Sequence, residues 1–481
     1  MNDWTLPPRP LSIAHRGAQA YAPGNTLSAS EKAHTLGADM WEVDIRCSRD
    51  GIVIAHHDAE LADGTAVRDM DYADILSRTR AACAPCPTLD DVAALAAQSG
   101  TGIYADIKDL DAVLPALAIL RRHGIDRAIL GAFAPEAAAM LKQAECPYPR
   151  SALVPLQADP FVHAAGAGVI HLCWERLERP QDTLTPDFFR RAFDAGQRVV
   201  LWHEEDPARM AAIRGKPVLG ICSDRPEMVN PFTPPDGRPL RIVCHRGANG
   251  IAPENTLPAL ECALAAGFAM AETDLRVTAC GTIVAIHDAT LDRTTDGTGR
   301  VDAHSLTELR LHDAGGWFDP FFNNVRIPTL DEVLALAVKY DGGLYLELKD
   351  AAPGQVWAAV QAAGLEQRCF FWSFDMDLLR ALRQDSAAAR IMVRREDHPS
   401  LDVALATLAP AIIEFRPDAD AAEVAALRDG PVASMIAYMG RDGDVFDRIV
   451  DMRPDMVNLD QPFAFVRHLD GKTFQPMACE R

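Results

Sequence analysis

At 481 residues the chain exceeds what one hydrophobic core usually serves, so two domains are expected. Its 48% hydrophobic and 24% charged residues are those of folded globular protein and exclude extensive disorder. A formal net charge of -21 argues against nucleic-acid or anionic-membrane partners, which select basic surfaces.

The opening MNDWTLPPRPLSIAHRG has no basic segment followed by an apolar run, so no secretory signal is expected there. No stretch offers about 18 uninterrupted apolar residues, so no membrane span is expected either. The 11 cysteines lack regular pairing and read as reduced thiols of a cytoplasmic protein.

From Ser12 to Asp58 the chain reads SIAHRGAQAYAPGNTLSASEKAHTLGADMWEVDIRCSRDGIVIAHHD. Further on, Cys83 and Cys86 fit C-x-x-C, but the second pair that a zinc site needs is missing. Thr88 stands three residues before Asp91 and predicts a capped helix running to about Gln98. The Pro-rich segment from Asn230 to Pro239 denies backbone donors to any regular element and marks a joint.

After the joint the pattern returns in the stretch from Arg241 to Gly299, which Ser12 to Asp58 matches without a gap. His15 maps to His245, Glu42 to Glu272, Asp44 to Asp274 and His57 to His287, with the same offset at every pair. The chain therefore reads as a tandem duplication, with domains at 1–233 and 240–481.

In the second copy, strands are predicted at Ile242 to Cys244, Ala271 to Leu275, Thr282 to Ile286, Gly343 to Leu348 and Cys369 to Trp372. Helices are predicted at Asn255 to Ala266, Thr329 to Lys339, Gln355 to Ala363 and Ala421 to Arg428, the second opened by a Thr329 and Glu332 capping box. Alternating strands and helices imply an α/β fold, and at this domain size two tandem (β/α)8 TIM barrels. A doubly wound sheet is the runner-up, but neither copy has G-x-G-x-x-G after its first strand.

Barrel enzymes place their chemistry at the carboxyl ends of the strands. His245, Glu272, Asp274, His287, Glu347 and Lys349 all fall at or near such ends, and the i, i+2 spacing of Glu272 with Asp274 and of Glu347 with Lys349 turns each pair to one face. Three carboxylates on one rim suit a hard divalent cation, Mg2+ or Ca2+. Two flanking histidines suit proton transfer near neutral pH. Arg246 and Lys349 supply positive charge for an anionic substrate such as a phosphate.

With HRG at His245 to Gly247, PENT at Pro253 to Thr256, ETD at Glu272 to Asp274, HD at His287 and Asp288, then LDRTTDGTG, IPTLDEVL and ELK at Glu347 to Lys349, the second copy resembles the glycerophosphodiester phosphodiesterase family. The family's members are (β/α)8 barrels. The resemblance implies Glu272, Asp274 and Glu347 as metal ligands, His245 and His287 as the acid–base pair, Arg246 and Lys349 as phosphate contacts, and Glu254 as a further site residue. It implies hydrolysis of a small-molecule glycerophosphodiester to glycerol 3-phosphate and an alcohol. In the mechanism proposed for the family, one histidine helps a neighbouring substrate hydroxyl attack phosphorus and the other protonates the departing alcohol; water then opens the cyclic phosphate. A lyase that stops at the cyclic product is the alternative, and homo-oligomerisation is left open.

The first copy keeps His15, Arg16, Glu42, Asp44, His57 and Lys108, with Asp106 in place of Glu347 and Gly24 in place of Glu254. It reads either as a second active site or as a binding and scaffold barrel. The resemblance also implies a late tryptophan, which Trp202 supplies in the first copy and for which Tyr438 is the candidate in the second.

Overall fold

The computed structural model describes residues 4–173, 179–235 and 240–471. The chain divides into two compact units, Met1–Asn230 and Pro231–Arg481. Residues 236–239 of the expected joint lie outside the described residues.

Nine strands build the first unit: β1 (Leu11–Ala14), β2 (Met40–Cys47), β3 (Val53–Ala55), β4 (Gly102–Ile107), β5 (Ala128–Ala132), β6 (Arg150–Val154), β7 (Val169–Cys173), β8 (Arg198–Trp202) and β9 (Gly220–Ser223). Eight of them run parallel in the order β1-β9-β8-β7-β6-β5-β4-β2, and pairing of β1 with β2 closes the barrel. β3 lies antiparallel on β2 outside the ring. The barrel interior is filled by Ile13, Met40, Tyr104, Ile129, Val169, Val200 and Cys222, all buried, so the barrel is a packed core and not a pore.

The second unit repeats the plan with β10 (Arg241–Cys244), β11 (Met270–Val277), β12 (Ile283–Ala285), β13 (Gly343–Leu348), β14 (Cys369–Trp372), β15 (Met392–Arg394), β16 (Ile412–Phe415), β17 (Ala433–Tyr438) and β18 (Met456–Leu459). Its parallel order is β14-β13-β11-β10-β18-β17-β16-β15. Between β14 and β15 only a single parallel bridge, Phe371 to Ile391, joins the edges, so this ring is nearly closed. The fold is two α/β barrels of the TIM type.

One expected strand has a different place. Of the run Thr282 to Ile286, Ile283–Ala285 form β12, which pairs antiparallel with β11 and is not a barrel stave. Only Thr278 to Thr282 separate the two strands, with Gly281 at φ +83°; a turn this short reverses the chain, whereas a parallel return needs a crossover of a dozen or more residues.

Helix starts follow side-chain chemistry. Thr88 caps the helix Leu89–Ser99 and Thr329 caps Leu330–Lys339, each in a reciprocal box with Asp91 or Glu332. The helices Leu257–Ala265, Pro353–Ala362 and Ala421–Ala426 lie within a few residues of the predicted spans. Cys83 is exposed and Cys86 buried, and the ten described cysteines are free. No helix among the described residues is long and apolar enough to cross a membrane.

Candidate active sites

In each barrel the turn after the first strand carries H-R-G in an unusual conformation. Arg246 has φ +55° and Gly247 φ +79°; in the first barrel Arg16 and Gly17 have φ +52° and +77°. A Cβ at Gly247 would meet the backbone of Ala259 at 2.6 Å, so only glycine lets this turn pack on the following helix. The turned backbone aims the Arg246 amide at Glu272 Oε2, 2.6 Å away; Arg16 does the same to Glu42 at 2.8 Å.

Glu272 and Asp274 share a face of β11, and Glu347 stands opposite Asp274 on β13. Ligand oxygens of these three buried carboxylates lie within 4.8 Å of one another. Asn255, also at positive φ, clamps Asp274: its Nδ2 donates to Oδ2 at 2.7 Å and its Oδ1 accepts the Asp274 amide at 3.0 Å. Lys349 Nζ reaches Asp274 Oδ1 at 3.1 Å and also pairs with Glu347. Burial, then the charges of Asp274 and Glu347, push the Glu272 carboxyl well above its usual range. Burial also raises Asp274, but Lys349, His287 and Arg246 outweigh it and hold that carboxyl low.

Whether the residues fit a cation can be judged from the oxygens left over. Glu272 Oε1 is buried with no hydrogen-bond partner, and a buried carboxylate oxygen left unpaired is costly. An all-oxygen donor set with an orphaned buried atom suits a hard divalent cation.

Each histidine is backed by a carboxylate. His245 Nδ1 lies 2.7 Å from Asp460 Oδ1, which also accepts from Asn249 at 2.6 Å; His287 Nδ1 lies 2.6 Å from Asp288 Oδ1. Both Nε2 atoms are thereby left for a ligand. Burial lowers the His287 pKa, partly offset by Asp288. Arg293 binds both Asp288 and Glu254, and Glu254 in turn accepts from Arg246 at 2.9 Å. A chain of charge-assisted bonds thus links Arg246 to His287 through Glu254, Arg293 and Asp288.

The first barrel brings the same predicted set together. Glu42, Asp44 and Asp106 form a second buried triad, and Lys108 Nζ lies 2.9 Å from Asp44 and 2.6 Å from Asp106. Asn25 clamps Asp44 at 2.8 Å. Burial raises Asp106 to about 6. His57 is partly exposed and bound to Asp58 at 2.7 Å. Gly24 leaves Arg16 without the partner that Glu254 gives Arg246, and Arg16 Nε turns to Asp44 at 2.9 Å.

His15 differs most from its counterpart. Its Nδ1 faces Asp224 at 2.7 Å, its Nε2 accepts from Trp202 Nε1 at 3.0 Å, and His203 stacks on it at 4.8 Å. The side chain is 4% exposed, against 20% for His245. Burial lowers its pKa despite Asp224.

Strand register corrects the late aromatic of the second barrel. His171 pairs with Val200, and Glu414 with Met435, so two residues on Trp202 corresponds to Ala437. Tyr438 points the other way, onto Phe446 of an outer helix. A tryptophan does reach the second site, but from Trp372 on another strand, where the first barrel has Gly131.

The sequence reading missed Asn25, Asn255, Asp224, Asp460 and Arg293. The asparagines sit inside the repeated motif at the same offset as the histidines, so the repeat could have found them. The aspartates follow the last strand of each copy, where loops of different length break the register.

Comparison with known proteins places these sites in context. A model of the glycerophosphoryl diester phosphodiesterase family matches residues 15–228 and 245–407. A glycerophosphodiester phosphodiesterase of Bacillus subtilis is 38% identical over 125 residues, covering 24% of this chain and 42% of the relative. One of Caldanaerobacter subterraneus is 33% identical over 160 residues, covering 33% of this chain and 59% of the relative. The chain thus spans about half the length of these curated relatives. The crystal structure of a glycerophosphodiester phosphodiesterase from Agrobacterium tumefaciens is 36% identical and covers 47% of this chain and 99% of its own, with a TM-score of 0.45.

Proposed function

This chain belongs to the glycerophosphoryl diester phosphodiesterase family, and on that premise we propose that it is a phosphoric diester hydrolase that cleaves glycerophosphodiesters to glycerol 3-phosphate and an alcohol, with its working site in the second barrel. The observation that carries this reading is the buried triad of Glu272, Asp274 and Glu347 flanked by two carboxylate-backed histidines.

Glu272, Asp274 and Glu347 would hold a divalent cation, Mg2+ or Ca2+, which when bound supplies positive charge for the phosphoryl oxygens. Arg246 and Lys349 orient the anionic phosphodiester. Of His245 and His287, one takes the proton from the neighbouring substrate hydroxyl that attacks phosphorus and the other delivers a proton to the departing alcohol oxygen, each through Nε2; water then opens the cyclic phosphate to glycerol 3-phosphate with the two proton roles exchanged. Asp460 and Asp288 fix the two tautomers from behind and stabilise whichever ring is charged. Glu254 holds the Arg246 guanidinium toward the phosphate position.

For the first barrel, the bond from Trp202 to His15 favours a second reading: a binding or scaffold barrel that keeps Glu42, Asp44, Asp106, Arg16, Lys108 and His57 but has its first histidine closed off. Separate His245→Ala and His15→Ala variants, assayed on glycerophosphodiesters after EDTA treatment and cation return, test both halves. Diesterase activity that survives the double variant in full, or that ignores EDTA, overturns the proposal.

A further inference from the structure

We propose that Arg394, Glu414 and Asn458 form a subsite in the second barrel that selects an uncharged, hydroxyl-rich alcohol as the departing half of the substrate. This inference rests on reading the site as a glycerophosphodiester hydrolase and names the substrate within that class. The three residues come from the carboxyl ends of β15, β16 and β18 and line one cavity of about 240 Å3 with His245, Glu347 and Lys349.

Arg394 Nε lies 3.8 Å from Glu414 Oε1, and Glu396 pairs with the same guanidinium. The guanidinium also lies 5.6 Å from the ring centroids of both Trp372 and Phe374. Asn458 is buried, and its side-chain oxygen has no hydrogen-bond partner. The Asn458 and Glu414 side chains are hydrogen-bonded to each other, so the cavity wall offers the Arg394 fork of donors and, side by side, the Glu414 carboxyl and the Asn458 oxygen between aromatic surfaces.

A hydroxyl both donates and accepts, so neighbouring hydroxyls can serve Glu414, Asn458 Oδ1 and Arg394 together, while their C–H faces pack on the rings. A cationic head group would seek the aromatic faces that the Arg394 guanidinium already occupies. An anionic group could take the Arg394 donors but, having no proton to give, would leave the Glu414 and Asn458 oxygens without a donor. By strand pairing, the first barrel has Leu153, His171 and Cys222 at the corresponding positions, so the fork and both acceptors are missing there.

The test uses the full chain carrying His15→Ala and compares kcat/KM for glycerophosphoglycerol and glycerophosphoinositol with that for glycerophosphocholine and glycerophosphoethanolamine. The polyol diesters should lead by about tenfold or more, since a site built to bond hydroxyls discriminates against ligands without them. Glu414→Ala and Asn458→Leu should each bring that ratio toward unity, chiefly through KM, and Arg394→Met supplies the comparison if either fails to fold. Equal use of all four diesters, a lead for the cationic pair, or a ratio untouched by the variants would overturn the subsite. If the unsubstituted chain hydrolyses none of the four, the hydrolase reading itself falls and the subsite's assignment with it.

Discussion

In the first barrel, Trp202 Nε1 donates to His15 Nε2 at 3.0 Å, taking the ring nitrogen that His245 leaves for a ligand in the second. The tryptophan stands where the second barrel has Ala437, and together with the stacked His203 it covers the His15 ring. Trp202→Ala should therefore open His15. Carbethoxylation followed by peptide mass spectrometry should find His15 slow to react in the unsubstituted chain and several-fold faster in the variant; equal rates would count against a closed ring.

His245→Ala should lower kcat of the whole chain by about 100-fold or more, the usual scale for losing a positioned acid or base. A steady-state assay with a coupled glycerol 3-phosphate readout checks this.

Arg293→Met should act at a distance from phosphorus. Arg293 partly neutralises Asp288, so its loss leaves that carboxylate to hold the His287 proton more tightly. The His287 pKa then rises, and the limb of the kcat/KM profile that His287 governs, the acid limb if it is the base and the alkaline limb if it is the acid, moves to higher pH. We expect about a tenfold fall in kcat at neutral pH with little change in KM, because the ring is misplaced and not removed.

Cation binding should be visible without turnover. Mg2+ or Ca2+ should raise the melting temperature of EDTA-treated protein, since a ligand that binds only the folded state stabilises it. Glu272→Gln and Asp274→Asn should reduce the part of this shift that belongs to the second barrel.

Buried His171 gives the first barrel an acid-sensitive term. Its Nδ1 bonds Tyr104 at 2.7 Å, and burial depresses its pKa from 6.5 to about 3. A depressed pKa means that the unfolded chain binds the proton first. The stabilisation is thus complete above pH 6.5 and is lost as pH falls toward 3, by up to about 1.4 kcal/mol per pH unit. His171→Gln, which keeps an acceptor but does not titrate, should gain on the unsubstituted chain as pH falls through this window. Urea unfolding at a series of pH values measures the difference.

The early half of each site was legible in sequence because its residues lie in short motifs on consecutive elements. Equal spacing in the two copies carried His15, Glu42, Asp44 and His57 onto their partners, and strand alternation put each E-x-D pair on one face. The later half was not legible for two reasons. Arg394, Glu414 and Asn458 are single polar residues in apolar strands, with no motif around them. Which residue faces Trp202 across the repeat depends on register, and only hydrogen-bond pairing distinguishes Ala437 from Tyr438, since a slip of one residue exchanges inside for outside. The place of β12 was hidden by its length, as three apolar residues fit a stave or a hairpin equally well.

The left-handed backbone at Arg246 makes that position two experiments in one. Its amide bonds Glu272 and its guanidinium bonds Glu254, and a side chain in this conformation costs about 1 kcal/mol that glycine does not incur. Arg246→Ala removes the guanidinium and keeps the cost; Arg246→Gly removes both. The stability gap between those two variants therefore reads what the turn costs the fold, less the entropy that glycine adds to the unfolded chain, and the activity they share reads what the charge contributes, so a single codon separates conformation from electrostatics.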